Sequence, residues 1–211
     1  MHKPAIELLN GTAHSSIIFL HGLGADGTDL LPVAQTLNLS GVRFILPHAT
    51  SRAVTINGGY VMPAWYDIRQ ADITLDQDDA GFTQARTVVA DLIQHEITRG
   101  IPGTHIILAG FSQGGAVALY SGLTLGITLA GIVGLSTYLP RLTPAVSIPP
   151  IWIAHGVHDE VIPLATSQAS FNRLATDKAN THLYPMGHEI SLDEIADLRA
   201  WLLTRLPSTA S

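Results

Sequence analysis

The stretch His105-Ile106-Ile107-Leu108-Ala109-Gly110-Phe111-Ser112-Gln113-Gly114-Gly115-Ala116-Val117-Ala118-Leu119-Tyr120 runs from an apolar segment through a glycine-flanked serine into helix formers. It reads as a buried strand, a tight turn and a helix, with Ser112 at the apex. A G-x-S-x-G turn holds its serine in a strained conformation that only small flanking residues permit, and lifts the hydroxyl clear of the sheet edge. A serine hydroxyl is a poor nucleophile until a base takes its proton. A chemical role therefore requires a histidine and an orienting carboxylate elsewhere.

Both candidates lie downstream. Ile151-Trp152-Ile153-Ala154 reads as a buried strand, and the segment after it, His155-Gly156-Val157-His158-Asp159, sets Asp159 in a strand-to-helix loop. Thr181-His182-Leu183-Tyr184 is followed by Pro185-Met186-Gly187-His188, and a helix starts with the capping-box pattern Ser191-Leu192-Asp193-Glu194. His188 thus occupies the next such loop. Singly, Ser112 could cap a helix, Asp159 could fix a turn and His188 could be a solvated loop residue. Together they map to the carboxyl ends of strands, where open parallel sheets gather their reactive groups.

A reaction at a carbonyl also needs donors for the oxygen that gains negative charge. The glycine-rich loop His21-Gly22-Leu23-Gly24 follows the apolar run Ile17-Ile18-Phe19-Leu20 and can aim a main-chain N–H into the site. In such enzymes a second donor is the residue after the nucleophile. The expected oxyanion donors are the main-chain N–H groups of Leu23 and Gln113.

The strand segments are continuous apolar runs, as expected where helices cover both faces of a parallel sheet. They fall at 16–20, 43–46, 105–109, 130–135, 151–154 and 181–184, alternating with helical stretches at 29–38, 80–99, 113–124, 164–176 and 191–205. Such alternation predicts a layered α/β fold. At 211 residues, 46% of them hydrophobic and 13% charged, the chain is long enough for one sizeable core. No repeat or linker divides it. Residues 47–80 are rich in Gly, Pro and polar residues and read as one long loop.

A net charge of −6 with 11 scattered basic residues offers no footprint for nucleic acid or an anionic membrane. The absence of cysteine excludes disulfides, a thiol nucleophile and thiolate metal sites. The N-terminus lacks the apolar core of a signal peptide, and Ile127–Leu139 is too short and interrupted to span a bilayer, so a cytoplasmic location is expected. Gly22-Leu23-Gly24-Ala25-Asp26-Gly27 fits a dinucleotide-binding pattern, but no carboxylate stands near Pro47-His48 to hold a ribose. The ten histidines form no H-E-x-x-H helix or comparable ligand array, so no metal is expected. His21 and His155 each precede a glycine at a strand end and read as structural imidazoles. Asp26 reads as a turn cap, while Asp67 is open between capping and substrate positioning.

Taken together, His21–Gly27, Gly110–Gly115, the Asp159 loop and the His188 loop resemble the small carboxylesterases and acyl-protein thioesterases of the α/β-hydrolase superfamily. Asn57-Gly58-Gly59-Tyr60-Val61-Met62-Pro63-Ala64-Trp65-Tyr66-Asp67 looks like the loop that this family carries before the helix leading to the nucleophile strand. The resemblance spans about Ile17 to Trp201. It implies a single-domain α/β-hydrolase over 1–211, with its core at about 16–206, a mostly parallel sheet, helices on both faces, no separate cap domain, and the 47–80 loop near the active site. Carried over residue by residue, it makes Ser112 the nucleophile, His188 the general base and acid, Asp159 its orienter, and Leu23 and Gln113 the oxyanion donors. By the same analogy Trp65 and Met62 border the acyl pocket.

The implied activity is hydrolysis of carboxylic esters or thioesters through an acyl-enzyme, without a cofactor, by a carboxylesterase of broad, short-to-medium acyl specificity. An acyl-protein thioesterase or a lysophospholipase would use the same groups, so the substrate is a small ester or thioester, an acylated protein or a lysophospholipid. A dinucleotide-binding or non-catalytic binding module is the remote alternative. The resemblance also allows a homodimer.

Overall fold

The computed structural model describes residues 3–141, 145–174 and 176–207. The extreme ends of the expected domain, and Ala175 of the expected 164–176 helix, lie outside the described residues. The chain runs β1 (Ile6–Leu9), β2 (Ser15–Leu20), α1 (Leu31–Leu37), β3 (Val42–Leu46), β4 (Ser51–Val54), β5 (Tyr60–Pro63), α2 (Asp79–Thr98), β6 (Ile106–Phe111), α3 (Gln113–Thr124), β7 (Gly131–Leu135), β8 (Ile151–Gly156), α4 (Leu164–Phe171), β9 (Ala179–Tyr184) and α5 (Leu192–Arg205). Seven strands form one sheet in the order β1-β3-β2-β6-β7-β8-β9, and β4 and β5 pair separately as a hairpin. All neighbours in the large sheet are parallel except β1, which runs antiparallel to β3.

The continuous apolar runs follow from burial on both faces. Along β2, Ile18 and Leu20 pack into one core with Val89, Ile93 and Leu119 of α2 and α3. Their neighbours Ile17 and Phe19 point the other way, against Leu37 of α1 and Leu198 and Leu202 of α5. Alternate residues of β6 divide in the same manner, so neither face of the sheet can be polar. This is an α/β-hydrolase-type layering. Strand order reverses between β2 and β6, since β3 lies on one side of β2 and β6 on the other. The loops that follow these two strands open the crevice in which such sheets bind ligands.

Three elements differ from the sequence reading. β1 is a short edge strand whose Glu7 reaches across to Arg99 at 2.8 Å, and no apolar run announces it. The 47–80 region is not all loop: β4 and β5 turn back at Gly58 and Gly59, both at positive φ (65° and 79°). Expected to reach 176, α4 ends at Phe171, where Asn172 caps it.

Two buried carboxylates need separate accounts. Glu96 on α2 is fully buried and accepts from Ser16 Oγ, from Arg43 Nη1 at 2.7 Å and from Arg99 Nη1 at 3.1 Å, which ties α2 to β2 and β3. Glu194 closes the capping box of α5: Ser191 Oγ accepts from the Glu194 N–H and Glu194 Oε2 accepts from the Ser191 N–H, each at 3.2 Å. No arginine or lysine pairs with Glu194 among the described residues, its Oε1 lacks a partner, and burial pushes its carboxyl up to about 7 from the usual 4.5.

A carboxyl raised in the folded state stabilises the fold fully below its unfolded value, and that contribution is lost as pH rises through the folded value. Between about pH 4.5 and 7 this group therefore weakens the fold progressively. Glu194→Gln is expected to leave stability nearly unchanged near pH 4.5 and to raise it by about 3 kcal/mol at pH 8. Urea unfolding at the two pH values reads the difference; an equal effect at both would mean that Glu194 titrates normally.

Candidate active site

Ser112 joins β6 to α3 with φ 52° and ψ −118°, in the left-handed region that a side chain disfavours. Its main chain is held on both sides. The Ser112 N–H donates to Leu135 O at 2.8 Å, and its carbonyl accepts from Thr137 Oγ1 at 2.7 Å and from the Ala116 N–H at 3.2 Å. The flanking glycines are required by contact: a Cβ on Gly110 would run into the main chain of Gly114, and one on Gly114 into the carbonyls of Leu20 and His21.

His188 and Asp159 arrive from the loops after β9 and β8. His188 Nε2 lies 2.9 Å from Ser112 Oγ, and His188 Nδ1 lies 2.8 Å from Asp159 Oδ2. With Nδ1–H donating to the carboxylate, Nε2 is left as the acceptor that faces the serine hydroxyl. Asp159 is buried and its other oxygen, Oδ1, accepts from the N–H groups of Val161 (2.9 Å) and Ile162 (2.8 Å). The two loops can sit this close because residue 156 is glycine; a Cβ there would strike the carbonyls of Met186 and Gly187. Sequence order and space therefore agree for all three residues.

His21 and His155 are structural, as their sequence positions suggested. His21 donates from Nδ1 to Gly22 O at 2.7 Å and accepts at Nε2 from the Ala49 N–H at 3.0 Å. His155 donates from Nε2 to Ile162 O at 2.8 Å and stands 3.3 Å from Asp159 Oδ2. Burial pulls the pKa of both rings down, so both stay neutral. Asp26 caps the turn before α1 by accepting from the Thr28 N–H at 2.8 Å. Asp67 proves to be a tie as well, accepting from the Thr55 N–H at 2.8 Å.

A cavity of about 480 Å³ opens over Ser112 and His188, within the range of small-molecule sites. Leu23 and Gln113 line it, together with Ile56, Ile68, Phe111 and Ile162. Among the described residues the Leu23 and Gln113 N–H groups donate to no protein acceptor. Trp65 and Met62 are not among its lining residues. Trp65 is 3% exposed and sits behind the wall, because its indole N–H finds an acceptor in His21 O at 2.9 Å. Met62 packs at Gly24, and its sulfur accepts from Asn57 Nδ2 at 3.5 Å; Asn57 itself reaches the cavity.

Tyr66 and Tyr138 line the cavity and were missed from sequence; their hydroxyls meet at 2.8 Å and both rings are buried. Burial pushes the Tyr138 phenol up to about 12 and raises Tyr66 well above the usual phenol value too, so the pair is neutral. Tyr138 follows β7, and the rule that sites gather at the carboxyl ends of strands could have found it. A wider groove of about 710 Å³ meets the cavity at Ala71, Ile73 and Val161 and crosses α4 as far as Arg173; it contains none of the three hydrogen-bonded residues.

Comparisons with known proteins converge on one family. A family model described as phospholipase/carboxylesterase matches residues 1–206. Acyl-protein thioesterase 1 of Neurospora crassa is 38% identical over 217 residues, covering 93% of this chain and 89% of that protein. Acyl-protein thioesterase 1 homolog 1 of Dictyostelium discoideum is 36% identical, covering 93% of each. Among solved structures, Zea mays acyl-protein thioesterase 2 superposes with a TM-score of 0.86 at 28% identity, covering 96% of this chain and 99% of that one. Arabidopsis thaliana SOBER1 gives 0.85 at 29%, covering 92% and 100%.

Gly114→Ala is expected to cost about 3 kcal/mol, because main chain meets main chain at that point and neither side can rotate away. The midpoint of urea unfolding measures it, and an unchanged midpoint would show that the turn opens without cost.

Proposed function

Since the chain belongs to the phospholipase/carboxylesterase family of α/β-hydrolases and cleaves carboxylic ester or thioester bonds, we propose that it does so with Ser112, His188 and Asp159 through an acyl-enzyme. The hydrogen-bonded path from Asp159 through His188 to Ser112, ending at an apolar cavity, carries this reading. Ser112 Oγ attacks the carbonyl carbon as its proton passes to His188 Nε2. The Leu23 and Gln113 N–H groups hold the resulting oxyanion, and Asp159 keeps Nδ1–H in place and stabilises the imidazolium. His188 then gives the proton to the departing alkoxide or thiolate as the C–O or C–S bond breaks. Water repeats the sequence on the acyl-enzyme, and the carboxylic acid leaves.

The acyl group would occupy the 480 Å³ cavity beside Ile56, Ile68 and Ile162, which supports short-to-medium acyl chains and a carboxylesterase of broad specificity. Action on acylated proteins is the second reading. It is favoured by the open groove that adjoins the cavity, which has room for a peptide leaving group, and by the names of the relatives. Homodimerisation, which rests on the family resemblance alone, and a cytoplasmic location belong to the same proposal; sedimentation of the purified chain reads the first.

Ser112→Ala should lower kcat by about 10⁶, the loss seen when triads act as a unit. Asp159→Asn should lower it by about 10⁴ by favouring the wrong histidine tautomer. Hydrolysis of p-nitrophenyl esters and acyl thioesters of graded length is the assay. Wild-type turnover by the alanine variant would refute the nucleophile, and the length at which kcat/KM peaks decides between the two substrate readings.

A further inference from the structure

The two proposed oxyanion donors belong to different elements: Leu23 follows β2, and Gln113 begins α3. Their spacing has to be fixed by something that touches both, and the segment Pro63–Tyr66 does so. On the Leu23 side, the Trp65 Nε1–H donates to His21 O at 2.9 Å and the Gly24 N–H donates to Pro63 O at 2.9 Å. These two bonds clamp the chain on either side of Leu23. On the other side, the Trp65 N–H donates to Gln113 Oε1 at 2.9 Å and Gln113 Nε2 donates to Tyr66 O at 2.8 Å. Trp65, Gln113 and His21 are 3%, 2% and 0% exposed, so water does not compete for these bonds. The His21 ring, 5.2 Å from the indole, is itself fixed at both nitrogens.

We infer that Trp65 is a positioning residue for the oxyanion donors, acting through His21 on the Leu23 loop and through the Gln113 side chain on the helix. This rests on the assignment of Leu23 and Gln113 as donors. The residue after the nucleophile thereby gains a second role, because its main-chain N–H serves the substrate while its amide side chain locks that N–H against the facing loop. Donors in such a site act on charge that appears only in the transition state, so a displaced donor lowers kcat and leaves ground-state binding nearly as it was.

The clean test replaces Trp65 with 3-(3-benzothienyl)alanine, which keeps the shape of the ring and removes the N–H, beside Trp65→Phe and Gln113→Met. Each should lower kcat about 10- to 100-fold by the same factor on acetyl, butyryl and octanoyl esters, with KM within about twofold. Affinity for an alkyl boronic acid, which forms a tetrahedral adduct on a reactive serine, should fall by a similar factor. Circular dichroism and the thermal midpoint establish that each variant is folded, and the isosteric benzothienyl variant decides if Trp65→Phe is not. Changes in KM that grow with acyl length at constant kcat would make Trp65 a pocket residue and overturn the inference. Wild-type kcat in the benzothienyl variant would overturn it also. Either result with an inactive Ser112→Ala leaves the serine mechanism standing, whereas an active Ser112→Ala removes the mechanism whatever Trp65 does.

Discussion

The contact between Gly114 and the carbonyls of Leu20 and His21 is the constraint on which the rest of the site depends. It is main chain against main chain, so it fixes the first turn of α3 directly on the carboxyl end of β2. Once that is set, the loop after β2 must pass beside Ser112, and a Cβ on Gly22 would lie 3.5 Å from the Ser112 Cβ. The price is the left-handed backbone of Ser112, a strain of order 1–3 kcal/mol. Three hydrogen bonds to its main chain, from a neighbouring strand, a neighbouring loop and the helix itself, offset that strain and make the turn rigid.

Asp159 plays a corresponding part among the loops after β8 and β9. Its carboxylate accepts from two main-chain N–H groups and from His188, with the neutral His155 close by. Four groups around one buried charge keep it in place without any arginine or lysine among the described residues, and hence without a cation that would compete with an imidazolium at His188. The neutral state of His155 matters for the same reason. A charged ring at that position would hold Asp159 more tightly and His188 less so.

Much of this was legible because the physical causes are local. The turn at Ser112 needs small residues on both sides, and a sheet buried on both faces needs unbroken apolar runs, so β2, β6, β7 and β8 could be read directly. The order of Ser112, Asp159 and His188 along alternating strands and helices placed them at one edge. The hairpin β4–β5 was not legible: Ser51–Val54 is short and half exposed, and its partner is chosen by a glycine turn inside a polar stretch. Nor could sequence tell Trp65 from Tyr66. The family resemblance pointed to Trp65 at the acyl pocket, but Tyr66 lines the cavity while the Trp65 indole turns to His21 O and braces the wall. Only the position of His21 O decides between them.

Glu194 shows how a cost in stability can be tied to the placement of a reactive group. Its carboxyl is buried without a cation among the described residues and raised to about 7, a poor choice if α5 merely needed an N-cap. Ser191 alone supplies that cap through the Glu194 N–H. What the carboxyl adds is a bond to the Ser191 N–H, which closes the chain onto the helix three residues after His188. The segment from Tyr184 to Ser191 is then anchored in β9 at one end and in α5 at the other, and His188 swings on a short tether instead of a free loop. A hydrogen bond 2.9 Å long between His188 and Ser112 survives only if that tether is stiff, and the buried carboxyl supplies part of the stiffness.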